Sequence, residues 1–418
     1  MSSLMAESSK KENNVSLMRN KNVLLLWSAQ SISTAGDDFF NIAIMWAVYS
    51  QSGSTLQSAM IGVIWHISDI LFGPIAGVFA DNWNRKKIML YTNILSAFTT
   101  ICMACVTLVL DHIPLTVALV GIFLLNCFTS FLNPARASVL PDIVNKNQLT
   151  QTNGIFSTIV RISSLIGNST AGFIIGAFGI TWAILGNSIS FFIVALLISL
   201  LKIPKKEISP EIYTGNRKNI LKEIREGWKV ISDNPKIKVV VYLSLFLNIA
   251  SFLGPLYPAL IVNNLSGGAS IYGVVQASGL VGGVLAGVLI GKIERKLGAG
   301  KVLIYSWVLA SISIFIMGFS HNVYLTLIFA FVQFLGITTG SICLSTIVIA
   351  VAPENYRGRI TGITRSLSVL LIPITTLLAG LLGKYTEIST IFAIGGLFVL
   401  LPAIIAASNS NLRNIVIR

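Results

Sequence analysis

Gly77-Val-Phe-Ala-Asp81-Asn-Trp-Asn-Arg85-Lys86-Lys87-Ile-Met-Leu-Tyr91 is a basic turn set between two apolar stretches, and the chain contains it twice. At a constant offset of 214 stands Gly291-Lys-Ile-Glu-Arg-Lys-Leu-Gly-Ala-Gly-Lys-Val-Leu-Ile-Tyr305, in which Gly, Lys and Tyr coincide. Each copy joins the second and third apolar stretches of its half of the chain. Equivalent placement in both halves reads as duplication, because a repeated unit carries its turns with it.

Outward from these turns, apolar stretches run over roughly 22–48, 56–80, 87–110, 115–136, 150–176, 180–201, 238–262, 270–292, 300–319, 323–349, 360–383 and 388–408. A helix needs about 20 such residues to cross about 30 Å of hydrocarbon. Of the 30 Lys and Arg, 28 lie in connections on the side of the N-terminus or just inside the adjoining span ends. One, Lys384, lies opposite, and one, Arg161, falls inside a span. Cytoplasmic loops collect cations because translocating them during insertion is unfavourable. The expected chain is therefore all-α and polytopic, with twelve transmembrane helices in two pseudo-symmetric six-helix bundles, sits in the cytoplasmic membrane, and has both termini in the cytoplasm.

Composition agrees. A hydrophobic fraction of 54%, 11% charged residues and a mean hydropathy of +0.79 lie outside the range of soluble domains. The net charge of +14 is explained by short loops facing anionic headgroups, so no nucleic-acid partner is expected. Residues 1–21 read as a polar cytoplasmic tail without the features of a signal peptide. The expected units are that tail, an N-terminal bundle over 22–201, a cytoplasmic linker over 202–237, a C-terminal bundle over 238–408 and a tail over 409–418. Within the linker, Ile220, Ile224, Trp228 and Ile231 share helical spacing, which predicts an amphipathic helix along the membrane surface. Cys102, Cys105, Cys127 and Cys343 all fall inside spans and lack the partners of a zinc site, so no metal and no cofactor is expected. Pro255 and Pro258 in span seven, and Pro373 in span eleven, are expected to bend their helices.

With these residues in hand, the chain resembles the major facilitator superfamily over nearly its whole length. Gly77, Asp81, Arg85, Lys86 and Lys87 look like that superfamily's loop motif between helices two and three. The resemblance implies a cytoplasmic gate in which Asp81 meets the start of span eleven. The second copy departs from it, with Arg295 at the position of Asp81 and Glu294 beside it. Gly36-Asp37, the segment Asn133-Pro-Ala-Arg-Ala-Ser-Val-Leu-Pro-Asp142 and Arg357-Gly-Arg359 look like the drug-efflux branch. That branch contains macrolide efflux proteins, and enterobactin-type siderophore exporters are similar. The resemblance implies export of small molecules in exchange for protons. Two departures stand out: Asn168 replaces the family's proline in span five, and Arg136 is expected at the cytoplasmic end of span four rather than within it.

Ionisable side chains inside a membrane are costly and are normally functional. Asp37, Asp38, His66, Asp69 and Arg161 fall well inside spans. Gln30, Thr34, Asp37 and Asn41 recur at helical intervals and form one polar stripe; Asn153, Ser157, Arg161, Ser164 and Asn168 form another. Such stripes face protein or a water-filled cavity. Asp37 and Asp69 are therefore candidates for proton coupling, with His66 tuning the adjacent acid, and the stripe residues are candidates for a substrate cavity. Asp38, rotated by about 100° from Asp37, is expected to be peripheral. Arg161 either binds an anionic substrate group, holds one of the acids ionised, or locks helices together.

The expectation is a secondary active exporter of a small amphiphilic molecule, a macrolide-like drug or a siderophore-like metabolite, working by alternating access with protons as the coupling ion. No P-loop is present, and no compact catalytic set supports an enzyme. The partners expected are substrate, protons and the lipid bilayer, with no obligatory protein partner. An importer, a non-transporting sensor with the same fold, or least of all an intramembrane enzyme are the alternatives.

Overall fold

Polar breaks in the sequence become helix ends. In the computed structural model, which describes residue 17 and residues 20–144, 148–203, 225–226, 228–353 and 356–413, Asn20 caps the first helix by accepting from the Asn22 and Val23 amides. Ser54 and Asn84 do the same for the next two, which answers amide donors that the helix itself leaves unpaired. Gly53 closes the first helix in the left-handed region at φ 62°, a conformation open to glycine.

The helices are α1 (Lys21–Ser52), α2 (Thr55–Asn82), α3 (Arg85–Leu110), α4 (Leu115–Ile143), α5 (Leu149–Phe178) and α6 (Ile180–Leu200) in the first half. The second half has α7, α8 (Ala269–Leu297), α9 (Ala299–Phe319), α10 (Val323–Val351), α11 (Arg357–Leu382) and α12 (Ile388–Ser408). Helix α7 comprises Pro235–Ile249, a 3₁₀ segment Ala250–Leu256 and Tyr257–Leu265. Pro255 lies inside the 3₁₀ segment and Pro258 opens the helical run after it, so the expected bend is a tightening of the helix around residues that cannot donate. Pro373 is accommodated within α11.

Eleven of these helices among the described residues are long and apolar enough to cross a membrane. Helix α1 completes the twelve with 32 residues, about 48 Å at 1.5 Å per residue. Its polar stripe lowers its hydropathy, and that stripe faces protein. The tail before residue 17 and most of the linker lie outside the described residues. Residues 228–233 of the linker are helical, with Trp228 exposed and Ile231 buried.

Neighbour relations repeat between the halves. Helix α4 packs on α2 and α3 as α10 packs on α8 and α9, and α6 packs on α3 as α12 packs on α9. Across the halves, α2 meets α11 and α5 meets α8. Both crossings use a glycine at the end where α1 finishes and α2 begins. A Cβ on Gly380 would collide with Ala59 and crowd Thr55; one on Gly172 would collide with Ala269 and crowd Gly273. Ala269 and Gly273 lie 214 residues beyond Thr55 and Ala59, the offset of the repeated turn. Tyr49 donates to Asn263 Oδ1 at 3.3 Å across the same interval of 214, as equivalent positions should where they meet on a two-fold axis. Thr55 Oγ1 donates to the Gly380 carbonyl at 2.9 Å and Ser270 Oγ to the Gly172 carbonyl at 3.2 Å.

Candidate functional site

One cluster forms inside the first bundle, where α1, α4 and α6 converge. Helix α4 does not stop near residue 136. It continues to Ile143 through Pro134 and Pro141, so Arg136 lies seven residues inside, about 10 Å from the helix end. This corrects the expectation that Arg136 sits at the span's end. The prolines made residues 133–142 look like a connection, yet Asn126, Thr129, Asn133 and Arg136 recur at 3, 4 and 3, a periodicity that continues the helix.

Arg136 donates to Gln30 Oε1 and, at 2.9 Å, to Asn133 Oδ1. Its guanidinium also lies 5.8 Å from the ring centre of Phe156 on α5, within cation–π range. Gln30 in turn donates to Thr34 Oγ1 at 2.8 Å. Asp37 accepts from Ser33 Oγ at 3.2 Å and lies beside Asn187 of α6, within the field of Arg136. Gly36 permits this arrangement, since a Cβ there would strike Ser190 and Asn187. Asn187 is buried at 1% exposure. Its Oδ1 accepts from Ser190 Oγ at 2.9 Å, while its Nδ2 has no hydrogen bond. A cavity of about 10 Å³ adjoins the cluster, lined by Gln30, Ser33, Asn93 and Arg136 among others; Asn93 Oδ1 is buried and unbonded. That space suits one water with polar partners.

The second group lies mainly on α5, with members on α1 and α2. Helix α5 touches α1 through Gly167 against Ala35 and touches α8 through Gly172. Asn153, Ser157 and Arg161 are exposed on α5. Asn168 donates to the Ser164 carbonyl at 2.7 Å. Asp38, expected to be peripheral, reaches Ser164 instead, so it is the α1 acid that approaches the α5 stripe. Asn41 is half-buried on α1. Asp69 on α2 is exposed and accepts from Ser130 Oγ at 2.7 Å, with His66 one turn away facing it. Arg161 forms no ion pair with Asp37 or Asp69. The arginine that faces Asp37 is Arg136.

The loop motif divides its work. Arg85 pairs with Asp142 at the end of α4 and donates to the Ser138 carbonyl at 3.0 Å. Lys86 donates to the Ser199 and Leu201 carbonyls, each at 2.7 Å, and so closes the end of α6 with a cation where the dipole is negative. Lys87 is exposed. Gly77 and Asp81 lie in the last turns of α2, but their side chains are outside the described residues. Asn187 and Arg136 were missed as site residues in the sequence; the run Asn187-Ser188-Ile-Ser190 inside an otherwise apolar span was the available signal.

A profile of the transmembrane secretion effector family matches residues 13–416. Macrolide efflux protein A of Streptococcus pyogenes is 24% identical over 404 residues, covering 93% of this chain and 96% of that protein. The Staphyloferrin A transporter of Staphylococcus aureus is 24% identical over 299 residues, covering 71% of this chain and 73% of that protein. The fold is shared with a bacterial homologue of the iron transporter ferroportin solved in an inward-facing state, at a TM-score of 0.72 and 17% identity, covering 94% of this chain and all of the other.

Proposed function

The chain belongs to the transmembrane secretion effector family of the major facilitator superfamily, and from that premise we propose that it exports a small amphiphilic molecule across the cytoplasmic membrane in exchange for protons. It is a multi-pass membrane transporter and not an enzyme. The observation that carries the proton reading is the enclosed cluster of Asp37, Arg136, Gln30 and Asn187, set within one bundle where α1, α4 and α6 converge. A carboxylate held at such depth, in view of an arginine and a buried amide donor, has two states of very different local charge. Protonating Asp37 removes the charge that Arg136 faces and loosens the tie between α1 and α4. In this reading substrate occupies a cleft between the halves, lined by the α5 stripe and Asp69.

The basic end is the cytoplasmic end in this reading, because translocating 28 cations would oppose insertion. The cleft then opens to the cytoplasm, and the paired glycine crossings close the outer side. Asp81 is a latch that forms when the bundles rock the other way, where a carboxylate near a helix N-terminus gains about 0.3–1 kcal/mol. The efflux named for Macrolide efflux protein A supports export over import. The test is accumulation of an amphiphile by everted vesicles acidified inside. Accumulation abolished by collapsing the pH gradient is expected; accumulation indifferent to the gradient overturns proton exchange.

A further inference from the structure

Arg161 is an exposed cation within α5. Eleven residues along α5 bring the helix round to within about 20° of the same direction, and the residue there is Gly172, which touches Ala269 and Gly273 of α8. Arg161 therefore points toward the opposite half, about 16 Å nearer the basic end. Lipid meets a different face, marked by Ile162, Ile166 and Phe173 at 51%, 55% and 68% exposure. Arg161 is exposed and makes no hydrogen bond or ion pair among the described residues. The acids nearby have their own partners: Asp38 reaches Ser164, Asp69 holds Ser130, and Asp37 faces Arg136. The other exposed residues of its stripe, Asn153 and Ser157, are uncharged.

An arginine at this depth is costly without an anion, and its planar fork binds carboxylate or phosphate with two parallel bonds. We propose that Arg161 is the recognition point for an anionic group, a carboxylate or phosphate, on the exported amphiphile. The inference rests on the export reading, which assigns a cleft between the halves to substrate. It commits to a solute rather than to an anionic lipid headgroup.

The test is equilibrium binding to the full chain in phosphatidylcholine nanodiscs without a pH gradient. The probes are aryl-alkyl compounds of three chain lengths, each prepared as carboxylate, primary amide and amine. The wild type should bind at least one carboxylate roughly tenfold tighter than its amide, the margin of a charge-assisted bond. Arg161→Gln should remove that margin while leaving amide affinity unchanged, which also shows that the variant is folded. Arg161→Lys should retain part of it. Absence of a carboxylate preference, a preference for the amines, or a preference surviving Arg161→Gln overturns the proposal. So does a result in which phosphatidylglycerol added to the nanodiscs, and none of the soluble carboxylates, binds in an Arg161-dependent way. Because no proton gradient is applied, failure here leaves the exchange reading intact, and failure of proton-driven accumulation leaves this one intact.

Discussion

Gly36 and Asp37 work as a pair. The glycine lets α6 come close enough for Asn187 to lie beside the acid, and Ser190 fixes the amide by donating to its oxygen. Gly36→Ala should force α1 and α6 apart and cost about 1–3 kcal/mol, the usual penalty of overpacking. A thermal melt in detergent checks this; an unchanged midpoint would mean that the helices yield freely. Arg136→Gln should affect coupling more than membrane insertion, because the charge that faces Asp37 is lost while a polar side chain remains for Gln30. Reconstituted flux driven by a pH gradient should fall, and full retention would remove Arg136 from the exchange. Asp37 was legible in the sequence because it lies on a regular stripe of α1. Its partner was not, since Arg136 follows a proline and resembles a loop cation until the helix is seen to run through. Nor could periodicity reveal that Asp38 meets Ser164, which depends on how α5 lies against α1.

At the scale of helices, the two glycine crossings join the halves at the end where α1 finishes and α2 begins. Gly380→Val should hold α2 and α11 apart, since even a Cβ collides with Ala59. Spin labels at Gln57 and Glu387 should report a longer separation than in the wild type, with transport reduced. An unchanged separation in a folded variant would show that the crossing is not part of the closure. Asp81→Asn should act at the other end, raising cytoplasmic accessibility and lowering flux while substrate affinity persists, because Asp81 lies about half a membrane from the stripe residues. Normal accessibility with normal flux would leave only the topological role of the motif. The turns and their repetition were readable from Gly77, Lys87 and Tyr91 against Gly291, Lys301 and Tyr305. The crossings were not, because a glycine in an apolar run signals close approach without naming its partner.

For the whole molecule, twelve helices and the duplication follow from hydropathy and the offset of 214, and the contacts between Tyr49 and Asn263 place that symmetry in space. Substrate identity was less accessible, since both signs of charge occur within spans and only their partners separate them. Orientation is tested by labelling intact cells. Cysteines at Gly53 and His112, both exposed, should react with an impermeant reagent and a cysteine at Asn216 should not; the reverse pattern would invert the gates. The central claim, proton-driven export, is tested most directly in everted membrane vesicles carrying the wild type or Asp37→Asn at equal abundance. The probes are a macrolide and the aryl-alkyl carboxylates, followed while an acid-inside gradient is imposed and then collapsed. The account predicts gradient-dependent accumulation of at least one probe by the wild type and none by Asp37→Asn. Equal, gradient-driven accumulation by both proteins would contradict the role of Asp37, and accumulation independent of the gradient in the wild type would contradict proton exchange itself.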